Sequence, residues 1–366
     1  MRDDAPTSES PTNGPGDRVG PPPTGGAGQG FAESPTDGPA LRIVVLAGGI
    51  GGARFLLGVR ALARRHGYEV TAVVNVGDDV TLHGLRICPD LDSVMYTLGG
   101  GADPERGWGR ANETWTVKEE LAAYGAEPTW FGLGDRDVAT HLVRTRMLGA
   151  GYPLSAVTEA LCARWRPGVR LLPATDDRVE THVVVERDGG GDEALHFQEW
   201  WVRYRGERTA RRFVFVGAET AEPAPGVLEA LAAADVVLLA PSNPVVSIAP
   251  ILAVAKIRDA LVANRAPVVG VSPIIGGSPV RGMADKCLAA LGVECSAAGV
   301  GGLYGARRRG GVLDGWLVDP VDASTTVADV TVRAVPLWMT DEQATAAIVQ
   351  AALDVAGVAS QGRGGS

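Results

Sequence analysis

Acidic side chains gather at two places that lie close together in the sequence. Asp78 and Asp79 follow an apolar segment, and Asp90 and Asp92 come a short loop later. Carboxylate oxygens suit hard cations such as Mg²⁺, and one or two of them suffice where a substrate's phosphates complete the shell. A metal held in this way can join carboxylates to a diphosphate. We therefore predict metal ligation by these four aspartates; the alternative is solvated turn acids, with Asp92 capping a helix.

A glycine cluster follows the first apolar run of the chain. The run at 43–47 has strand length, and a segment of helical periodicity comes after Gly48, Gly49, Gly51 and Gly52. At such a turn, backbone N–H groups and the positive helix end face an anion, and glycine lets a phosphate approach the backbone. We predict that these four glycines hold a phosphate group. The alternative is a tight turn between strand and helix that binds no ligand.

Polar or glycine-rich turns end three more of the apolar runs. In doubly wound sheets, ligands bind beyond the carboxyl ends of the strands, so these turns are expected to converge on one crevice. Hydroxyl and amide groups there suit a base edge or a phosphate; the alternative is a rigid turn with local side-chain bonds. The predicted binding residues are Asn75, Ser242, Asn243, Ser272, Gly276 and Gly277.

Two common nucleotide-binding motifs are incomplete in this sequence. If Gly49 and Gly51 start a dinucleotide motif, Arg54 stands where a third glycine or alanine belongs. The second apolar run ends in Asn75 rather than in an acid that could hold a ribose. No Gly-Lys-Ser/Thr segment follows either, so both a nicotinamide site and a P-loop are disfavoured.

Alternating strand-like and helix-like segments must position these turns. Strands are predicted at 68–75, 235–240 and 267–271, and the helices include 250–263 and 341–355. Such alternation predicts an α/β fold with a Rossmann-like, doubly wound and mainly parallel sheet.

The middle of the chain carries a different pattern, with predicted strands at 183–186, 194–201 and 212–216. We interpret it as a smaller α/β insertion subdomain that is rich in strands. The two ends, rich in Pro, Gly and polar residues, are expected to be disordered. The predicted parts are a tail at 1–40, the first half of the core at 41–150, the insertion at 151–220, the second half of the core at 221–358, and a tail at 359–366.

Four local expectations complete the prediction. Asp92 would cap a short helix at 93–98, and 130–137 would be a strand end and turn. Arg307–Arg309 would form a solvated loop. Among the histidines, only His83 has neighbours that favour a role in the site.

Composition excludes several classes of protein. A formal net charge of −9 over 366 residues disfavours nonspecific nucleic-acid binding. The four cysteines are scattered without a CxxC pair, which favours a reducing cytoplasm over a disulfide framework or a zinc site. No apolar run reaches membrane-spanning length, and no signal-peptide pattern begins the chain, so no membrane partner is expected.

Taken together and in order, the motifs resemble the 2-phospho-L-lactate transferase family of coenzyme F420 biosynthesis. The similarity runs from about Leu41 to the last helix and is greatest to the actinobacterial phosphoenolpyruvate transferase branch. The basic loop at Arg307 departs from the family pattern. The motifs that carry the resemblance are Leu46-Ala47-Gly48-Gly49-Ile50-Gly51-Gly52-Ala53-Arg54, Asn75-x-x-Asp78-Asp79, Cys88-Pro89-Asp90-Leu91-Asp92, Trp130-Phe131-x-Leu133-Gly134-Asp135-Arg136-Asp137, Pro241-Ser242-Asn243-Pro244 and Ser272-Pro273-Ile274-Ile275-Gly276-Gly277.

This resemblance implies a Mg²⁺-dependent transferase. Family members move a phosphoenolpyruvyl or 2-phospho-L-lactyl group from a guanosine diphosphate-linked donor to the deazaflavin Fo and release GMP. They have a Rossmann-like core with a smaller α/β part and are usually homodimers.

Applied to this sequence, the resemblance suggests that the N–H groups of residues 49–52 hold the diphosphate. Asp78 or Asp79, helped by Asp90 or Asp92, would hold the metal or take the proton of the Fo hydroxyl. The turns at 241–244 and 272–277 would bind the guanosine. Arg110 or Lys118 would lie near a substrate contact.

Two other classes of function stay open at this point. One is an NAD(P)-dependent oxidoreductase, which the incomplete glycine motif opposes. The other is a nucleotide-sensing accessory protein of the same fold, which would have no chemical need for the Asp78-Asp79 pair.

Overall fold

Parallel pairing of strands dominates the architecture. The computed structural model describes residues 40–187 and 189–358, so the predicted tails, apart from Ala40, lie outside the described residues. Within these ranges the strands are β1 (Arg42–Ala47), β2 (Glu69–Val74), β3 (Val80–Leu82), β4 (Leu85–Ile87), β5 (Arg170–Pro173), β6 (Glu180–Glu186), β7 (Asp192–His196), β8 (Ala210–Val216), β9 (Val236–Leu239), β10 (Val268–Val271), β11 (Ile274–Ile275), β12 (Ser278–Pro279), β13 (Gly315–Val318) and β14 (Thr331–Ala334).

Helices connect most of these strands. They are α1 (Gly49–His66), α2 (Pro89–Leu98), α3 (Thr116–Ala123), α4 (Asp135–Gly149), α5 (Leu154–Trp165), α6 (Val227–Ala233), α7 (Ala249–Ala253), α8 (Ala255–Ala263), α9 (Ala284–Ala290), α10 (Ala297–Tyr304) and α11 (Glu342–Val355). Short helical turns cover Glu199–Arg203, Pro244–Ile248, Arg307–Arg309 and Pro320–Asp322. Within the described ranges, no helix combines the length and apolar character needed to cross a bilayer.

The main sheet has seven strands in the order β14-β13-β10-β9-β1-β2-β5, and each neighbouring pair is parallel. Side chains of β1 alternate between its two faces. Ile43 and Val45 pack in a core with α1, α2, α5 and α11, whereas Val44 and Leu46 pack in a second core with α6, α8 and α10. Both faces are therefore buried, as a doubly wound sheet requires. The predicted fold class is confirmed.

Four adjacent strands position the predicted site. The strand order places β10, β9, β1 and β2 side by side, and parallel strands end at the same edge of a sheet. The glycine turn, the acidic turn and the two proline-containing turns follow these four strands. The sheet therefore brings together the four turns that were predicted from the sequence to form one binding crevice.

A second sheet lies over the acidic turn. It is antiparallel, with the order β7-β6-β8, and falls within the range assigned to the insertion. The same range also holds α5 and β5, and β5 pairs with β2 in the main sheet. Two backbone contacts described below join the second sheet to the core.

Several local predictions were wrong. The strand expected at 194–201 ends at His196, because the chain then enters the helical turn Glu199–Arg203. Residues 130–134 contain no strand. The helix expected at 250–263 is interrupted at Val254, whose backbone is extended (ψ 99°).

Two further corrections concern charged side chains. The second helix begins at Pro89, not at 93, so Asp92 lies inside its first turn and does not cap it. Arg307 does not sit in a solvated loop: its guanidinium pairs with Asp314 and donates to the carbonyl oxygens of Asn264 (2.6 Å) and Ala266 (2.9 Å).

Candidate functional site

The start of α1 has no cap from its own residues. Gly48 precedes the helix with an extended backbone, and neither a side-chain cap nor an acidic residue occupies its first turn. A Cβ atom on Gly48 would lie 2.5 Å from Oδ2 of Asp90, and one on Gly51 would lie 2.6 Å from the Pro241 carbonyl oxygen. Close packing thus explains these two glycines, while Gly49 needs its positive φ of 60°.

Ser242 ties the turn after β9 to the turn after β1. Its buried hydroxyl accepts from the Gly48 N–H (3.1 Å) and donates to the Gly48 carbonyl oxygen (2.7 Å). The side chain of Asn243 accepts from the N–H groups of Val245 and Val246 and so begins the next helical turn. Both side chains are engaged within the protein, and their contact with a guanosine stays a prediction.

The turn after β10 has a similar internal role. The Ser272 hydroxyl donates to the Ile274 carbonyl oxygen (2.8 Å) and accepts from the Ile274 N–H (3.2 Å). Gly276 and Gly277, both with positive φ, form the exposed tip of the hairpin between β11 and β12. Asp322 accepts from the Gly276 N–H (2.9 Å). Guanosine binding at this hairpin likewise stays a prediction.

The side chain of Asn75 holds the acidic turn in place through hydrogen bonds. Its amide nitrogen donates to Oδ2 of Asp90 (2.9 Å) and to the Val246 carbonyl oxygen (3.1 Å), and its amide oxygen accepts from the Gly77 N–H (2.8 Å). One buried side chain therefore joins the ends of β2 and β9 to α2. An asparagine fits this place because it both donates and accepts, which an ionised acid could not do.

The four predicted metal ligands are all buried, but they have two kinds of surroundings. Asp79 pairs with Arg86 through its Oδ2 atom (3.0 Å), and Asp92 pairs with the fully buried Arg144. Asp78 and Asp90 have no such arginine partner among the described residues. The sequence suggested one group of four acids, whereas the structure separates two arginine-paired aspartates from two without arginine.

Burial raises the pKa of the acids at this edge. The pKa of Asp78 rises well above its ordinary value because the carboxyl is desolvated and faces Asp90. Burial also raises the pKa of Asp90 to about 6, although hydrogen bonds from Asn75 and the Gly49 N–H oppose the shift. The pKa of Asp79 rises to about 6 because burial outweighs the attraction of Arg86. Desolvated carboxyls of this kind favour either a proton or a cation.

Asp92 belongs to a buried network of polar side chains from α2 and α4. Arg144 donates to Asp92 and to Nδ1 of His141 (3.0 Å), so His141 carries its proton on Nε2, which lies 3.4 Å from Asp137. Asp137 also accepts from the Tyr96 hydroxyl (2.6 Å). These contacts join α2 to α4 and fix the start of α2, where Asp90 lies.

The second sheet holds the backbone of the acidic turn. The Thr181 N–H donates to the Gly77 carbonyl oxygen (2.6 Å). The Gln198 N–H donates to Nδ1 of His196 (3.1 Å), so the Nε2 proton of His196 faces the Asp79 carbonyl oxygen (3.2 Å). Burial lowers the pKa of His196, which favours this neutral form.

The remaining predicted residues lie farther along the chain. Arg110 is buried, donates to the Arg136 carbonyl oxygen (2.7 Å), and stacks on Trp165 and Tyr96 with its guanidinium carbon 5.0 and 5.9 Å from the ring centres. Lys118 is exposed on α3, with its ammonium 5.7 Å from the ring centre of Trp115. Substrate contacts of Arg110 and Lys118 stay predictions.

A divalent cation would find a partial set of ligands at this edge. Oδ1 atoms of Asp78 and Asp79 are buried without a hydrogen-bond partner among the described residues. Across residues 40–187 and 189–358, no three His, Cys, Asp or Glu side chains form a complete metal group. The arrangement therefore fits a cation that takes part of its shell from a substrate, as Mg²⁺ does with diphosphates.

A family model described as 2-phospho-L-lactate transferase CofD matches residues 43–353. The chain belongs to this family. The match contains the glycine turn, the acidic turn and both proline-containing turns, so the family resemblance inferred from the motifs is confirmed.

Similar proteins extend over nearly the same length. A protein of Nocardia farcinica named phosphoenolpyruvate transferase is 63% identical over 319 residues, which are 87% of this chain and 95% of that protein. Proteins with the same name from Mycolicibacterium smegmatis and Thermobifida fusca are 61% and 63% identical, covering 87% and 86% of this chain and 99% and 98% of their own.

A solved structure shares the fold. The crystal structure of a UPF0052 family protein from Bacillus halodurans has a TM-score of 0.54 and 18% identity, covering 86% of this chain and 99% of its own. At this identity the likeness concerns the fold alone.

Several residues of the site escaped the sequence reasoning. Arg86, Arg144, Thr181 and His196 all contact the acidic turn or the start of α2. Only Arg86 lies near the acids in the sequence; Arg144 is 52 residues from Asp92 and His196 is 117 from Asp79. Spacing alone gives no signal for pairs so far apart.

Proposed function

We propose that this protein transfers a phosphoenolpyruvyl group from a guanosine diphosphate-linked donor to the terminal ribityl hydroxyl of the deazaflavin Fo, releasing GMP, in coenzyme F420 biosynthesis. A 2-phospho-L-lactyl donor is the alternative, and the names of the similar proteins favour the enolpyruvyl group. The observation that carries the proposal is the buried Asp78–Asp90 pair, of which Asp90 lies beside Gly48 and accepts from the Gly49 N–H at the start of α1.

The donor's diphosphate would lie between these two features. N–H groups in the first turn of a helix have no partner within the helix, so the start of α1 supplies donors and a positive dipole end to the phosphates. From there the guanosine would extend toward the turns after β9 and β10, which follow β1 in the sheet order. Neighbouring strands are about 5 Å apart, so the two strands span a distance that suits a nucleoside.

The acid pair fits a divalent cation. Asp78 and Asp90 are buried, have raised pKa values and lack arginine partners among the described residues, so they would hold Mg²⁺ together with oxygens of the donor. When bound, the ion would offset the negative charge of the diphosphate.

The transfer itself is a substitution at phosphorus. The ribityl oxygen forms a bond to the phosphorus that carries the enolpyruvyl group, the bond from that phosphorus to the oxygen of GMP breaks, and the hydroxyl proton must leave. Asp79 is the assigned proton acceptor, because its Oδ1 atom has no partner within the described chain while Arg86 fixes Oδ2. A pKa raised to about 6 leaves it ionised and still basic near neutral pH.

Mass analysis of the deazaflavin product tests the proposal. The protein is incubated with Fo, Mg²⁺ and each guanylated donor, and we expect an enolpyruvyl-phosphate adduct and an equal amount of GMP. Asp78→Asn should reduce the rate at least about 100-fold because it removes a cation ligand. Asp259→Asn, a change of the same size at an exposed position, should leave the rate unchanged.

Absence of any adduct with either donor would contradict transfer to Fo. Binding of a nicotinamide dinucleotide would favour the oxidoreductase. Binding of guanine nucleotides without turnover would favour the accessory protein. The family resemblance also implies a homodimer, which is tested separately by light scattering of the purified chain.

A further inference from the structure

The second sheet makes two hydrogen bonds to the acidic turn at residues 75–79, and the proposed transfer assigns no role to them. The Thr181 N–H, near the start of β6, donates to the Gly77 carbonyl oxygen (2.6 Å). The imidazole of His196, the last residue of β7, donates to the Asp79 carbonyl oxygen (3.2 Å). Two neighbouring strands of this sheet therefore hold a turn that belongs to the main sheet.

Asp79 is fixed through its backbone and through one side-chain oxygen. Its N–H donates to the Val76 carbonyl oxygen (3.1 Å), its own carbonyl oxygen accepts from His196, and Oδ2 accepts from Arg86 (3.0 Å). The residue is completely buried, and Oδ1 has no hydrogen-bond partner within the described part of the chain. The contacts thus leave free the one side-chain atom to which the proposed transfer assigns the proton.

The imidazole of His196 is itself held in a fixed direction. The Gln198 N–H donates to Nδ1 (3.1 Å), so the ring carries its proton on Nε2, which faces the Asp79 carbonyl oxygen. The ring also packs edge-on against His182, which lies directly opposite on β6, with ring centres 5.7 Å apart. A ring held at one nitrogen and by a neighbouring ring gives a donor that cannot turn freely.

We propose that His196 is a positioning residue, which holds the backbone of Asp79 so that Oδ1 stays within reach of the ribityl hydroxyl. This inference rests on the proposed function. A general base must lie about 2.6–3.2 Å from the atom whose proton it takes, so a small shift of this backbone separates the two groups. A misplacement of about 1 Å can lower a rate about 100-fold.

Loss of the His196 contact should affect the chemical step rather than binding. The cation and the donor are assigned to Asp78, Asp90 and the start of α1. The bond from Asn75 to Asp90 (2.9 Å) and the bond to Gly77 do not involve His196. We therefore expect kcat to fall, while the donor KM and the Mg²⁺ concentration for half-maximal rate stay nearly unchanged.

Two substitutions of His196 isolate the bond to Asp79. His196→Phe keeps a ring and removes both nitrogens, whereas His196→Gln keeps an N–H donor at the same number of bonds from the backbone. Both lose the Nδ1 acceptor, so the difference between them reports the bond to Asp79. His196→Leu, which is smaller than phenylalanine and has no donor, is the second variant in case the phenyl ring does not fit.

The opposite residue of the sheet gives a matched control. His182 is half-buried like His196, and its Nε2 atom lies 3.2 Å from Oε2 of Glu180 instead of contacting the acidic turn. His182→Phe makes the same change on the neighbouring strand and keeps a ring beside His196. It should leave kcat within about twofold of the unchanged protein, because the bond to Asp79 remains.

The first measurement is the rate of adduct formation from Fo and the guanylated donor, expressed per folded protein. His196→Phe should lower kcat at least about tenfold, with the donor KM within about twofold, and His196→Gln should recover most of the loss. A role in stability alone would reduce the folded fraction and leave kcat unchanged. Unchanged kcat in His196→Phe, equal rates in His196→Phe and His196→Gln, or an equal loss in His182→Phe would overturn the proposal.

Amide hydrogen exchange measures the positioning without the reaction. The Asp79 N–H should exchange at least about fivefold faster in His196→Phe than in the unchanged protein, with the amides of β1 unaffected. His196→Gln and His182→Phe should match the unchanged protein at Asp79. Equal exchange at Asp79 in His196→Phe and the unchanged protein would overturn the positioning role, whatever the rates.

The two measurements also separate this inference from the proposed function. If the unchanged protein forms no adduct with either donor but exchange at Asp79 depends on His196, the transfer fails and the hold of His196 on the acidic turn stands. If adducts form and His196→Phe changes neither kcat nor exchange, the transfer stands and the positioning role fails.

Discussion

Each buried carboxylate at this edge of the sheet needs a positive partner, and the aspartates find theirs in two ways. Arg86 and Arg144 provide an internal charge for Asp79 and Asp92. Burial raises the pKa of both Asp78 and Asp90, and the charge of Asp90 raises that of Asp78 further, which favours a cation from outside. The chemical role of each aspartate therefore depends on whether it forms an ion pair with an arginine.

The Asp92–Arg144 pair gives a prediction about stability. Arg144→Met should lower the free energy of unfolding by about 3–5 kcal/mol, because Asp92 is left as an unpaired charge in a buried site. The double variant Arg144→Met with Asp92→Asn should recover most of that loss, since the remaining groups are neutral. Urea unfolding of the single and double variants measures both values. If the double variant is no more stable than Arg144→Met, the pair does not act as described.

The grouping of the acids could be predicted from the sequence, but the residues that pair with them could not. Asp78, Asp79, Asp90 and Asp92 are close in sequence, so their grouping could be predicted. Arg144 comes from α4, which packs against β4, and only the folded chain shows which arginine meets which acid. The hydroxyl of Ser242 shows the same limit, because its partner is Gly48 on another strand end.

Glycines decide the shape of two elements for different reasons. At the start of α1 they permit close approach and a positive φ. In α10 they lower the intrinsic helix propensity, which is why the helix at Ala297–Tyr304 was not predicted from sequence. Packing forms the helix there: Trp316 donates to the Ala297 carbonyl oxygen (3.0 Å) and lies against Gly301.

Two neighbouring glycines of α10 should therefore respond in opposite directions. A Cβ on Gly301 would lie 2.6 Å from Val327 and 3.1 Å from Nε1 of Trp316, so Gly301→Ala should destabilise the protein by about 1–3 kcal/mol. Gly302 has no atom within 4 Å of such a Cβ, and Gly302→Ala should stabilise by about 0.5–1 kcal/mol. Thermal unfolding of both variants tests this, and shifts of the same sign would contradict the packing described for Gly301.

Strand positions were easier to predict than strand ends. Apolar runs predicted the four adjacent strands β10, β9, β1 and β2, because a buried parallel strand needs a continuous apolar sequence, whereas β5 at the edge of the same sheet was not predicted. Their order could not be predicted, although it is what places β10, β9, β1 and β2 together. The strand expected at 194–201 was too long because Phe197 and Trp200 continue the apolar run after the chain has left β7.

At the scale of the whole molecule, folding places buried acidic side chains at the carboxyl edge of the sheet without neutralising their charge. Folding desolvates Asp78 and Asp90, so protonation or a cation must offset part of the cost of burying them. Both are held at the end of β2 or the start of α2, between two packed cores. The free energy of unfolding therefore depends on whether protons or a cation bind at this edge of the sheet.

This coupling predicts a pH-dependent effect of Mg²⁺ on thermal stability. The folded pKa of Asp90 is about 6, above its ordinary value of 3.8, so the folded state binds more protons and the cation-free protein loses stability as the pH rises through that window. Mg²⁺ binds only the ionised form, and a concentration near ten times its Kd should raise the Tm by about 2 °C at about pH 7.5 and have little effect at about pH 5. Differential scanning fluorimetry with and without Mg²⁺ at each pH isolates the effect, because other titrating groups contribute equally to both samples. Asp78→Asn should abolish the Mg²⁺ shift at the higher pH, and an equal shift at both pH values would contradict binding of the ion by these carboxylates.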